Sequence, residues 1–150
     1  MAAVDVLRAS SLFKGFTDTG LQILAGIASE RSFPPGSPLF VENMVADYCL
    51  LIGEGTVKLT AKTPQGEDAS LGEVGAGDAL GALSLIHAGQ RMCSATAASH
   101  VTAAEIRLAD FQKLMAQKPQ ACLKLLMNIV SDFGGRLNEN REQLKALLKK

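Results

Sequence analysis

The sequence predicts a mainly β domain with flanking helices: N-terminal helices, a β-barrel or sandwich, then a long C-terminal helix. Three observations predict it. Between residues 31 and 110, short apolar runs alternate with Gly- and Pro-bearing turns at the spacing of a multistranded barrel. On either side of that stretch, apolar residues recur with helical periodicity. The chain has 150 residues, 47% of them hydrophobic and 20% charged, which suits one buried core. A single domain is therefore expected, with helices over 1–30, the barrel over 31–110 and further helices over 111–150.

Residues 9–29 read as helical. Thr17 or Asp18 caps a helix that buries Leu21, Leu24, Ile27 and Ala28 on one stripe, and Phe13 and Phe16 stand just ahead to pin it onto a core. Pro34, Pro35, Gly36 and Pro38 end the helical character. Tyr48, Leu50 and Ile52 share one face of a strand, and Val57 and Leu59 one face of the next, with Gly53-Glu54-Gly55 between them. Thr63-Pro64-Gln65-Gly66 reads as a hairpin connection between two more strands. Val101, Ala103 and Glu105 alternate with Thr102, Ala104 and Ile106 in a late strand.

Residues 110–117 form a short helix carrying Phe111, Leu114 and Met115. Pro119 suits the first turn of another, which runs to the C-terminus. Along it Leu126, Val130, Phe133, Leu137, Asn140, Leu144 and Leu147 step by four and three, a heptad seam with one polar member. The N-terminal half of this helix can pack on the barrel. A barrel of this size leaves the rest uncovered, so the seam predicts a homodimer through the C-terminal helix. Gly134 and Gly135 interrupt it and mark a close approach or a hinge.

Composition excludes several classes. Net charge is zero, which gives no support for broad electrostatic binding to nucleic acid or to an anionic membrane. Cys49, Cys93 and Cys122 are odd in number and lack metal-ligand spacing, so reduced thiols in a cytoplasmic protein are expected. No signal peptide or membrane-length apolar run is read in these residues, so the cytoplasm is the expected compartment. No zinc-ligand cluster, nucleophile motif or acid–base pair points to an enzyme, and no cofactor is expected.

The stretch that carries chemistry is LGALSLIHAGQRMCSATA, Leu80 to Ala97. Gly81 permits a tight turn, and Ala82 to Ile86 can form one helical turn whose leading N–H groups suit an anion. Arg91 follows ten residues after Gly81, with a fork of donors that fits phosphate oxygens. Cys93, Ser94, Ala95 and Ala97 let backbone pass close to a ligand.

This stretch resembles the phosphate-binding cassette of the cyclic-nucleotide-binding family, which includes catabolite activator proteins, protein kinase A regulatory subunits and gated channels. Gly81, Leu83, Ser84 and Leu85 match its opening, Arg91 falls at its spacing, and Met92, Cys93, Ser94 and Ala95 occupy its tail. The likeness covers nearly the whole chain: Leu12-Phe13, Gly36, Glu42, Asp47, Ile52, Gly55 and Gly77-Asp78 match upstream, and Ala104-Glu105-Ile106, Phe111 and Pro119 match downstream. It implies a jelly-roll barrel of the cyclic-nucleotide-binding type. It further implies a ligand-binding set of Gly81, Ala82, Leu83, Ser84, Arg91, Met92, Cys93 and Ser94, with Arg136 and Asn138 on the long helix as base contacts. The implied ligand is cAMP or cGMP. Family activators continue into a helix-turn-helix domain; these residues stop at Lys150, so direct DNA binding by this chain is not expected.

Two departures stand out. Leu80 replaces an aromatic residue, and Ala82 replaces the family glutamate, whose carboxylate in relatives accepts a hydrogen bond from the ribose 2′-hydroxyl. Losing such a bond costs about 1.5–3 kcal/mol, or roughly one to two decades of affinity. Two functions are thus expected in competition. One is a sensor that binds a cyclic nucleotide and signals through its C-terminal helix. The other is a degenerate cassette serving as a dimerisation or protein-docking module. A cyclic dinucleotide would also be compatible with a site lacking the ribose clamp.

Overall fold

The computed structural model describes residues 2–148. Helix α1 (Ala3–Ala9) opens the chain, followed by a 3-10 turn (Ser11–Phe13) and α2 (Asp18–Ala25). The expected helical region over 9–29 is therefore broken, and Ala28 already starts a strand. Ser10 causes one break: its side chain accepts from Leu12 N–H and its backbone is extended. Thr17 makes the next start, since its Oγ1 accepts from Gly20 N–H at 3.1 Å. Leu21 and Leu24 are buried as expected. The Phe13 and Phe16 rings meet edge-on with centroids 4.9 Å apart.

Ten strands follow: β1 (Ala28–Phe33), β2 (Pro38–Phe40), β3 (Val45–Ala46), β4 (Tyr48–Glu54), β5 (Val57–Lys62), β6 (Asp68–Val74), β7 (Ala79–Leu80), β8 (Gly89–Gln90), β9 (Ser94–Ala97) and β10 (Val101–Arg107). All pair antiparallel, in four-stranded sheets ordered β1-β10-β4-β7 and β2-β9-β5-β6 and a small β3-β8 pair. This is the jelly-roll arrangement of two facing sheets. Thr63 to Gly66 lies in the β5–β6 connection, with Lys62 opposite Asp68. Gly53-Glu54-Gly55 carries the chain from one sheet to the other. At Gly55 φ is +93°, and a Cβ would meet the His100 carbonyl, so only glycine fits.

The central strands are buried on both faces. Leu50, Ile52, Val101 and Ala103 turn into the barrel, where they meet Phe33, Leu39, Phe40, Val57, Ala95 and Ala97. Cys49, Leu51, Ala104 and Ile106 turn outward into a second core with Leu7, Leu12, Leu24, Phe111, Leu125 and Ile129. Glu105 is buried within β10 and held by Arg31 at 2.8 Å and Arg107 at 3.3 Å.

Helix α3 (Leu108–Gln117) carries buried Phe111, then Pro119 starts α4 (Pro119–Glu139). Helix α4 packs on the domain through Cys122, Leu125 and Ile129, and Asn128 Nδ2 donates to the Leu12 and Lys14 carbonyls at 2.8 and 3.0 Å. The heptad seam lies beside that inner stripe. Leu126 packs partly on the core, whereas Val130, Phe133 and Leu137 are exposed, with Leu123 and Met127 next to them. The expected unbroken helix is corrected at Asn140. Its Nδ2 donates to the Arg136 carbonyl at 2.8 Å, ending α4, and α5 (Arg141–Leu148) follows as a separate helix. Gly134 and Gly135 do not interrupt α4. The seam side chains of Leu144 and Leu147 lie outside the described residues. No helix among the described residues is long and apolar enough to cross a membrane.

Candidate functional site

The site is built where β7 leaves its sheet. Gly81 takes the left-handed conformation (φ +74°, ψ 32°) and opens a 3-10 turn over Ala82–Leu85. Ser84 N–H closes the turn on the Gly81 carbonyl at 2.9 Å, while the leading N–H groups of Ala82 and Leu83 have no acceptor within it. Leu85 anchors the turn in the helical core, and the Ala82 methyl packs against the same core. Ser84 is buried beneath the turn; Leu83 and Ile86 are exposed.

Arg91 sits directly behind this turn. A Cβ on Gly81 would strike Arg91 Nη1, so φ and the arginine together favour glycine here. Arg91 is 4% exposed. Its Nη2 donates to the Tyr48 carbonyl at 2.7 Å, and its Nε has no partner. Among the described residues no carboxylate pairs with it. Its main chain is fixed as well: Arg91 N–H donates to the Met44 carbonyl and Asn43 N–H donates to the Arg91 carbonyl, both at 2.8 Å. A buried cation with free donors is costly unless an anion completes it. Arg91 is thus a buried cation without an anionic partner among the described residues.

The rest of the segment frames this centre. Met92 is almost fully exposed, while Cys93 and Ser94 are half-buried. Ser94 Oγ accepts from Glu42 N–H at 2.9 Å, and Glu42 Oε1 accepts from Lys62 N–H at 2.9 Å. Burial pushes the Cys49 thiol up to about 12, against the pull of the Arg91 charge. Cys93 is also raised, first by burial, then by Glu42, with Arg91 opposing. Arg91 is the one Lys, Arg, Asp or Glu in the 80–97 segment.

The structure thus brings Gly81, Ala82, Leu83, Ser84 and Arg91 together. Arg136 is engaged apart from them, and Asn138 is exposed on α4. Arg136 pairs with Asp132 at 3.1 Å and lines a groove with Ser11, Asp78 and Glu139, and no residue of the 80–97 segment lines that groove. Sequence reading misses Phe40 and Tyr48, whose rings flank the Arg91 guanidinium, with centroids 4.3 and 4.5 Å from its Cζ. Nothing local to the motif signals them, since they lie on β2 and β4, more than forty residues away in sequence.

Fold and site together define a jelly-roll domain with a buried arginine, Arg91, behind a glycine-started turn. Residues 30–118 match the cyclic nucleotide-binding domain family, and the chain belongs to it. The CRP-like cAMP-activated global transcriptional regulator of Mycobacterium tuberculosis is 27% identical over 122 residues, covering 81% of this chain and 54% of that protein. The N-terminal domain of a transcriptional regulator from Streptomyces coelicolor A3(2) superposes with a TM-score of 0.79 at 29% identity, covering 93% of this chain and 95% of that one. The catabolite activator protein of Thermus thermophilus gives a TM-score of 0.81 at 25% identity, covering 92% and 63%. The chain spans about half the length of the curated relatives it matches.

Proposed function

We propose that residues 1–150 form a non-enzymatic, cytoplasmic sensor domain that binds a cyclic nucleotide at Arg91 and reports binding through α4. One observation carries this reading: a guanidinium buried at 4% exposure, with an unpartnered Nε and no carboxylate, immediately behind the Gly81 turn. A cyclic phosphodiester brings one negative charge, which balances one buried cation. The relative described as cAMP-activated supports cAMP as the first ligand to test, with cGMP second.

The ligand set is Gly81, Ala82, Leu83, Ser84, Arg91, Met92, Cys93 and Ser94. Met92 contributes backbone only, since its side chain points to solvent. Exposed Val130, Phe133 and Leu137, flanked by Leu123 and Met127, support a homodimer through α4. Arg136 and Asn138 ride on that helix, and they become base contacts only if α4 moves or a partner's α4 approaches. DNA contact by these residues is not part of the reading, since their net charge is zero. A thermal-shift panel of cyclic mono- and dinucleotides tests it. Selective stabilisation by a cyclic mononucleotide supports the reading, and stabilisation by none at millimolar concentration removes it.

A further inference from the structure

The Arg91 guanidinium is buried without a carboxylate, so other groups must hold it in place. Arg91 is buried, lacks a carboxylate, and uses Nη2 on one main-chain carbonyl. Two aromatic faces supply the rest. The Phe40 centroid lies 4.3 Å from Arg91 Cζ and the Tyr48 centroid 4.5 Å. Both distances are well inside the range at which a ring's quadrupole attracts a cation, and the attraction grows when water is excluded. Phe40 is itself buried in the barrel core, opposite Ala95 across β2–β9, and Tyr48 starts the central strand β4. Both rings therefore sit on rigid elements.

We propose that Phe40 and Tyr48 are positioning residues for the anion site, forming a two-ring clamp that preforms it. The clamp holds the guanidinium plane while the Tyr48 carbonyl fixes one edge. The bare Cα of Gly81 admits Nη1 alongside. The Nε N–H is left without a partner in this arrangement. Leucine in place of either ring would fill much of the space but offer no quadrupole, so the ring chemistry is separable from packing. The role in ligand binding rests on the assignment of Arg91 as the phosphate partner; the clamp itself does not.

The test uses the full chain with Phe40→Leu, Tyr48→Leu and the conservative Tyr48→Phe, each checked for fold by circular dichroism. The first readout needs no ligand: the side-chain N–H resonances of Arg91 in nitrogen-labelled protein. The parent and Tyr48→Phe should show resolved, ring-shifted guanidinium signals, and the leucine variants should show averaged ones. Tyr48 is only half-buried, so its leucine variant keeps the test alive should Phe40→Leu fail to fold. The second readout is titration with cAMP. Each leucine variant should bind about two- to thirty-fold more weakly than the parent, and Tyr48→Phe within about twofold. Folded leucine variants with unchanged Arg91 signals and unchanged affinity overturn the clamp. If the parent ignores cAMP while its Arg91 signals depend on the rings, the clamp stands and the ligand assignment falls.

Discussion

Arg91 Nη2 donates to the main-chain carbonyl of Tyr48 at 2.7 Å, which ties the 80–97 segment to an inner strand of the helix-backed sheet. The same strand sends Cys49 and Leu51 into the core shared with α1, α3 and α4. One residue step thus separates the arginine's anchor from the core on which α4 rests.

Gly81→Ala should damage the site more than the fold. The left-handed backbone penalises a side chain by about 1–2 kcal/mol, and the new methyl displaces Arg91 Nη1. Chemical denaturation should show a loss of that size. Calorimetry should show cAMP affinity falling by at least tenfold. A Gly81→Ala protein that binds like the parent would mean Arg91 is not needed where it stands.

Ala82→Glu should strengthen binding of cAMP or cGMP by a charge-assisted hydrogen bond to the 2′-hydroxyl, up to about 1.5–3 kcal/mol before desolvation is subtracted. The Ala82 methyl packs against the helical core but is partly exposed, so the longer side chain must leave toward solvent. A 2′-deoxy analogue is the control and should gain nothing. Equal gains for both sugars would place the new carboxylate away from the ribose.

How much of this was legible beforehand depends on how local the signal is. Gly81 and Arg91 lie ten residues apart in one motif, and their juxtaposition is readable from the chain. The strand alternation at Tyr48, Leu50 and Ile52 is local too, and it holds. The partners of Arg91 are not readable, because Phe40 and Tyr48 reach it only through sheet pairing. The end of α4 at Asn140 escaped for a different reason. A heptad pattern records which residues are apolar, whereas the helix stops on one side chain folding back to the Arg136 carbonyl. The expected N-terminal helices over 1–30 include α1, but its bounds were not legible because Ala3–Ala9 is short and lacks a side-chain cap.

Phe133→Glu or Leu137→Glu should yield monomers if α4 pairs with its equivalent in a second chain. Both side chains are exposed, so neither change disturbs the Cys122, Leu125 and Ile129 stripe that holds α4 to the domain. Light scattering should give twice the chain mass for the parent and the chain mass for the variants. A monomeric parent at high concentration would remove the dimer.

Alkaline stability should depend on Cys49. Its thiol is raised from 9.0 to about 12 by burial, so the folded state favours the neutral form. The stabilisation is complete below pH 9 and is lost as pH rises toward 12, at about 1 kcal/mol per pH unit. Cys49→Ala should be less stable at neutral pH but lose less between pH 9 and 11. Parallel pH profiles for parent and variant would show that the thiol does not titrate with unfolding.

The central claim is that Arg91 receives the phosphate of a cyclic nucleotide, and titration of the parent and Arg91→Leu with cAMP, followed by calorimetry and thermal shift, tests it most directly. The parent should bind and, at a hundredfold excess over Kd, gain about 2.7 kcal/mol, a rise in Tm of roughly 5–10 °C. Arg91→Leu should remain folded and show no shift, because an apolar side chain in that buried position removes a costly charge along with the anion partner. Identical affinities for the two proteins, or no binding by the parent at millimolar cAMP, would contradict the account and leave a domain that dimerises or docks a protein without reading a nucleotide.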